Sequence, residues 1–164
     1  MEVLEAIKNR CSVRHFAAEA VEKERLIQLV DMGRRAPSGR NVQPVEFVVC
    51  TDASDRQRLA EWCDNGKFIA EAPACIVVLS ADTKYFLEDG CAAVENILLA
   101  ATALGLGACW IAGDKKSYAA AVCEFLKAPV GFRLIALIAV GYPAQPPQPK
   151  NKRPLEQVLH WGHF

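Results

Sequence analysis

The 164-residue sequence predicts a fold in which helices alternate with short apolar strands. Three observations carry this. Segments with helical spacing alternate with β-rich runs along the chain. The run Ala74-Cys75-Ile76-Val77-Val78-Leu79 is apolar at every position, as in a strand covered on both faces. The segment from about Glu88 to Leu104 repeats at helical spacing and has almost no polar face.

Taken in order, Val3, Leu4 and Ile7 mark a first helix ending near Arg10. Glu22 to Ala36 reads as a second, with Leu26, Ile27, Val30 and Gly33 on one face and Pro37 stopping it. Val45 to Cys50 is a strand, and Ser54 is the expected N-cap of a helix running to about Cys63. After the buried strand at Ala74, the helix from Glu88 carries Val94, Ile97, Leu98, Ala101 and Leu104, with alanines on its remaining faces. Buried all round, such a helix in a small chain suggests a subunit interface beside the core. Gly105-Leu106-Gly107 stops it, and Ala108 to Ile111 is a strand. Ser117 to Lys127 is a helix and Phe132 to Val140 an apolar central strand ending at Gly141. Pro143, Pro146, Pro147 and Pro149 then make an extended arm that must lie along its own domain or a partner.

Composition excludes several classes. A chain of this length is the size of one domain (1–164) and buries roughly 70% of its extended surface. Nineteen basic and nineteen acidic residues leave no net charge, so no nucleic-acid partner is expected. The seven cysteines are scattered, with no CxxC or CxH spacing, which argues against a metal site. His160 and His163 have no ligating neighbours. No secretory leader and no membrane span are expected, so a cytoplasmic location is.

Two segments carry chemistry. Arg10, Ser12 and Arg14 alternate along an extended stretch, so they share one side. A guanidinium fork donates two parallel charge-assisted hydrogen bonds to a phosphate. Lys152 and Arg153, at the other end of the chain, complete four cations and a hydroxyl for a phosphate dianion where the segments converge. The plainer reading is a solvated turn. The second segment, Pro37-Ser38-Gly39-Arg40-Asn41-Val42-Gln43, is a bent loop with two carboxamides at period-two spacing, suited to a polar heterocycle or polyol. A pair that merely satisfies loop backbone fits as well. Flavin mononucleotide has both an anionic and an amide-rich end. Gly105-Leu106-Gly107 is no dinucleotide motif, because it follows a helix and precedes a strand. Ile111-Ala112-Gly113 ends a strand at the expected start of a helix, where backbone N–H groups meet a planar ring closely; Asp114 as a helix cap is the alternative.

With these residues assembled, the chain resembles the nitroreductase family of FMN-dependent NAD(P)H oxidoreductases over nearly its full length. The likeness rests on Arg10-x-Ser12-x-Arg14-x-Phe16, Ala36-Pro37-Ser38-Gly39-x-Asn41-x-Gln43-Pro44, and Ala92-Ala93-x-x-Asn96 through Gly107. Cys109-Trp110-Ile111, Gly141-Tyr142-Pro143 and Lys152-Arg153-Pro154-Leu155 complete it. The resemblance implies an α+β fold with a central mixed, mainly antiparallel sheet flanked by helices. It also implies an intertwined homodimer whose C-terminal arm, about 142–164, crosses to the partner. On that basis Arg10, Cys11, Ser12 and Arg14 line the phosphate and ribityl end, with Lys152 and Arg153 closing on the phosphate. Asn41 and Gln43 contact the ribityl chain and ring edge, and Pro37, Ser38 and Gly39 reach the flavin from the other subunit. Ile111, Ala112 and Gly113 lie by its face. FMN carries the chemistry, so no catalytic side chain and no metal are implied.

NADH or NADPH would reduce the flavin, and a nitroaromatic, quinone or similar small-molecule electron acceptor would reoxidise it. Val45 departs from the aromatic that relatives often place after Gln-Pro, and the stretch from about Lys67 to Lys84 leaves little room for the extra helices that cover the flavin in longer members. A non-catalytic flavin-binding or redox-sensing module is the alternative.

Overall fold

The computed structural model describes residues 1–164. The elements are α1 (Val3–Asn9), α2 (Lys23–Gly33), β1 (Val45–Cys50), α3 (Ala53–Trp62), β2 (Ala74–Ala81), α4 (Phe86–Ala103), β3 (Gly107–Ala112), α5 (Ala119–Phe125) and β4 (Phe132–Gly141). The strands form one antiparallel sheet in the order β1-β2-β4-β3. The α+β expectation holds, and the mixed character comes down to one parallel bridge, Ser12 to Ala108, beside β3.

Side chains that alternate along β2 divide the core in two. Ala74, Ile76 and Val78 join Leu29 of α2 and Val94, Ile97 and Leu98 of α4. Cys75, Val77 and Leu79 join Leu59 of α3 and Val122 of α5. Both faces are covered, which is why the run is apolar without a break. In β4 a bulge opposite Val78 and Leu79 leaves Ile135 unpaired, so Ile135 and Ala136 both turn to the α4 side. Glycines accommodate it: a Cβ on Gly113 would lie 2.7 Å from the Ile135 carbonyl carbon and oxygen, and one on Gly90 2.7 Å from its side chain.

Helix α2 packs close on α4, since a Cβ on Gly33 would come within 2.9 Å of Ile97. Asn96 Nδ2 donates to the Met32 carbonyl at 3.1 Å and ties the end of α2 down. This contact sets where the chain leaves α2 for the Pro37–Gln43 loop.

The structure corrects several expectations. Asp52, not Ser54, is the N-cap of α3; its carboxylate accepts from the Ser54 N–H at 2.8 Å and hydroxyl at 2.6 Å. A carboxylate takes both donors at once, which starts the helix two residues earlier. Helix α2 ends at Gly33, before Ala36, and α5 starts at Ala119. Helix α4 is not buried all round within the chain: Glu88, Glu95 and Ala103 are exposed. The apolar stripe of α1 faces outward, with Leu4 67% and Ile7 53% exposed.

The arm is held only at its root. Phe16 bridges Pro143, Ala144 N–H donates to His15 at 3.0 Å, and the Tyr142 hydroxyl donates to Glu22 at 2.8 Å. From residue 144 to residue 164 every residue is exposed.

Candidate functional site

Residues 10–14 run alongside the edge strand β3. Ser12 bridges Ala108, and the Val13 N–H donates to the Ala108 carbonyl at 3.0 Å. An extended segment alternates its side chains. Arg14 accordingly enters a cleft with Cys109, Trp110, Ile111 and Ala112 of β3. Cys11 and Val13 turn to a different cleft, beside Gly105, Leu106 and the proline arm. Burial raises the Cys109 thiol pKa, and the Arg14 charge, the Ser12 hydroxyl and the Arg10 charge act against that rise. Of the three predicted phosphate residues only Arg14 lines this cleft; Arg10 leans toward Glu95 at 3.7 Å, and Cys11 faces the other cleft.

The Arg14 cleft measures about 160 Å³, and Asp64, Asn65, Lys116 and Tyr118 complete its lining. Sequence reading missed these four. The available signal was Asp64-Asn65-Gly66, a turn tripeptide directly after α3. A Cβ on Gly66 would lie 2.8 Å from Cys63 Cβ and 3.2 Å from Ile111, so only glycine lets this turn sit against the end of β3. Lys67 fixes the turn from its other side, donating to the Ala60 and Glu61 carbonyls at 3.1 and 3.0 Å. These are C-terminal carbonyls of α3, where a cation is favoured.

Ile111 and Ala112 line the same cleft and Gly113 follows them. The expected helix start at this point is corrected: Gly113 and Asp114 lie in a turn, and Asp114 pairs with Arg133 at 2.7 Å and caps no helix. The Tyr118 hydroxyl donates to the Ala112 carbonyl, and Gly113 is buried against Ile135 of β4.

Residues 37–43 lie elsewhere. They enter β1, the opposite edge of the sheet, three strand intervals or about 14 Å from β3. Pro37, Ser38 and Gln43 border a second cleft of about 200 Å³ with Asp89 of α4. The Gly39 N–H donates to the Asp89 carboxylate at 3.0 Å, and the Gln43 N–H donates to the Ser38 hydroxyl at 2.9 Å. Period-two alternation does not apply here, because Asn41 and Gln43 both have positive φ, 56° and 54°, as does Arg40 at 55°. Gln43 Nε2 instead donates back to the Asn41 carbonyl at 3.4 Å. Three consecutive-range left-handed residues without glycine are a strain that surrounding contacts must impose, a feature common at ligand sites. Lys152 and Arg153 are exposed on the arm and line neither cleft.

One chain thus presents two small clefts on opposite sheet edges, each smaller than the ~300 Å³ that encloses a small ligand. Two roomier clefts, about 550 Å³ between α1, α2 and α4 and about 680 Å³ between α2 and β1, are apolar and hold none of these residues.

A family described as "Putative TM nitroreductase" matches residues 2–163. The chain belongs to the nitroreductase family. Among its relatives, the "Putative NADH dehydrogenase/NAD(P)H nitroreductase" of Archaeoglobus fulgidus is 31% identical over 149 residues, 87% of this chain and 86% of its own. A crystal structure of a protein given the same name, from Parabacteroides distasonis, superposes with a TM-score of 0.93 at 36% identity over 98% of both chains. A "putative nitroreductase in complex with FMN" from Desulfovibrio desulfuricans superposes with a TM-score of 0.87 at 34% identity, covering 100% of this chain and 98% of its own. No helix of this nitroreductase-family chain is long and apolar enough to cross a membrane.

Proposed function

We propose that the protein is an FMN-dependent NAD(P)H oxidoreductase acting as a homodimer, in two half-reactions, on a nitroaromatic, quinone or similar small-molecule acceptor. The observation that carries this reading is the split site. The segment that carries Arg10, Ser12 and Arg14 runs along one sheet edge, with Arg14 in the cleft there, and the strained carboxamide loop lies at the other. A second copy is the simplest source of the missing half. FMN, when bound, supplies a hydride acceptor and electron donor. The names of the relatives, with NAD(P)H in one and FMN in another, support both partners of that chemistry.

The residues present fit the cofactor. The Arg14 fork and Ser12 hydroxyl suit its phosphate. From the second copy, Pro37, Ser38, Gly39 and Asn41 would close the cleft, and Lys152 and Arg153 on the exposed arm are free to add charge. Exposed apolar surface supports association: Leu155 (67% exposed), Trp161 (87%) and Phe164 (107%) on the arm have no cover in their own chain. The whole chain acts as one unit on this reading, with residues 142–164 crossing to the partner.

The test is anaerobic titration of the FMN-loaded protein with NADH and with NADPH. Bleaching of the flavin by either, and its return on adding a quinone, is the expected result. A yellow protein that neither nucleotide bleaches would favour the non-catalytic flavin-binding module.

A further inference from the structure

We infer that Asp89 is a positioning residue for the cofactor site, holding the loop of residues 37–43 in the left-handed shape that closes on FMN bound by the other copy. The inference rests on the FMN reading above. Asp89 is the one carboxylate among the buried residues, 7% exposed. It pairs with no cation, and Arg34, on the same cleft, is held by Asp31 at 2.7 Å. A carboxylate out of water is costly without a hydrogen bond. Its partner is the Gly39 N–H at 3.0 Å, fifty residues away in the chain.

The loop has no other hydrogen bond of this kind. The Asn41 N–H donates to the Ser38 carbonyl at 2.9 Å, the Val42 N–H to the Gly39 carbonyl at 3.2 Å, and the Gln43 N–H to the Ser38 hydroxyl at 2.9 Å. These bonds start and end within the loop and would move with it. Yet Arg40, Asn41 and Gln43 all keep positive φ, which side-chain-bearing residues adopt only under constraint. Residues 40 to 43 are all exposed, so the strained shape buries nothing in its own chain. Strain without burial points to a ligand outside the chain.

Gly39 is where the fold imposes that shape. The start of α4 grips it from two sides. A Cβ on Gly39 would stand 2.7 Å from the Tyr85 ring, and Asp89 takes its N–H. Asp89 is itself fixed, since its own N–H donates to the Tyr85 carbonyl at 2.9 Å. A Cβ on the next residue, Gly90, would lie 2.7 Å from Ile135. Contact with the Tyr85 ring alone leaves Gly39 free to turn its N–H away; the carboxylate does not.

The test compares the full chain with three variants for FMN binding and for hydrogen exchange at the Gly39 amide. Asp89→Ala and Asp89→Leu lack an acceptor, one leaving space and the other filling it, whereas Asp89→Asn keeps an oxygen that can accept from Gly39. Both variants without an acceptor should lose most of the protection at Gly39. Their FMN dissociation constants should rise about tenfold or more, the scale of one hydrogen bond to a charged group. Asp89→Asn should stay within about threefold of the wild type in both readouts; a role in packing alone would spare Asp89→Leu as well. Wild-type FMN affinity in Ala and Leu variants that have lost the Gly39 protection overturns the inference, and so does protection that survives both changes. Failure of both to fold overturns it too, since Asp89 would then hold the whole fold rather than the loop. A wild type that takes up no FMN overturns the cofactor reading along with it.

Discussion

Replacing Arg14 with alanine removes the one fork at the β3 edge that has no competing partner. Arg10 is drawn toward Glu95 at 3.7 Å. Arg14 forms no ion pair, and its Cζ stands 5.9 Å from the Phe68 ring centroid, a weak cation–π contact worth about 0.5–1 kcal/mol at an exposed position. The fold therefore stands to lose little. A charge-assisted hydrogen bond to a phosphate contributes about 1.5–3 kcal/mol, which corresponds to about a 10- to 150-fold rise in the FMN dissociation constant. Quenching of FMN fluorescence, titrated in low salt, measures it. Arg14→Lys should fall between the two, since it restores charge without the planar fork, and its deficit should persist in high salt, which screens the point charge further. An FMN affinity unchanged in Arg14→Ala, with a normal melting temperature, would refute the phosphate role. A variant that fails to fold would refute the premise that Arg14 has no structural partner.

The remaining predictions are shorter. A chain ending after Gly141 should keep its sheet by circular dichroism, because nothing from residue 144 onward is buried. It should also have a monomeric mass and fail to retain FMN; a monomer that retains it would show that the arm is no part of the site. Asp52→Ala should lower the melting temperature at pH 7. Hydrogen bonds from the Ser54 hydroxyl and N–H hold the Asp52 carboxyl below its usual range, so its contribution is present above the unfolded carboxylate pKa and fades as pH falls through the lower folded value. The wild-type advantage should therefore vanish in strong acid, and an equal gap at pH 7 and in strong acid would count against this account. Of the seven cysteines, Cys50, Cys63, Cys75 and Cys109 are buried. Burial, with Asp55 adding to it, pushes Cys50 up to about 11. A thiol-exchange dye at pH 8 should label at most Cys11, Cys91 and Cys123 in the native protein, and all seven in denaturant.

Legibility in the sequence followed the range of each interaction. All four strands were readable because burial on both faces, or on one, writes itself into the local pattern: the notation of β2 as a two-faced strand needs only Ala74 to Leu79. The extended run of residues 10–14 was readable too: Ser12 bridges Ala108 beside β3 and Arg14 enters the cleft there. What was not readable depends on contacts distant in sequence. Asn41 and Gln43 do not alternate, because Asp89, about fifty residues on, holds the Gly39 N–H and the chain then turns left-handed at three residues. Asp64, Asn65 and Tyr118 join the cleft through Gly66 packing on Ile111 and through the Ala112 carbonyl, neither of which any spacing announces. The α1 stripe of Val3, Leu4 and Ile7 gave the helix correctly but not its side, as periodicity does not say whether the covering surface belongs to the same chain.

If both segments hold FMN, as proposed, the sheet order explains why a second copy would be needed. With β2 and β4 central, β1 and β3 are edges, and each would carry half of the proposed recognition chemistry: cations beside β3, carboxamides before β1. Folding cannot bring the halves together, because the core clusters on both faces lock the strand order with residues such as Ile76, Val77, Leu137 and Ile138, all fully buried. Joining the edges therefore falls to association. The apolar α1 face, the α2–β1 cleft and the arm are the surfaces left uncovered to drive it. An aggregate would satisfy those surfaces as well as a dimer, but only a two-fold arrangement lets each loop at β1 meet the other copy's β3 while using the same patches on both. Two equal FMN sites per pair of chains follow, and a stoichiometry of one FMN per dimer at saturation would break this chain of reasoning at the symmetry step.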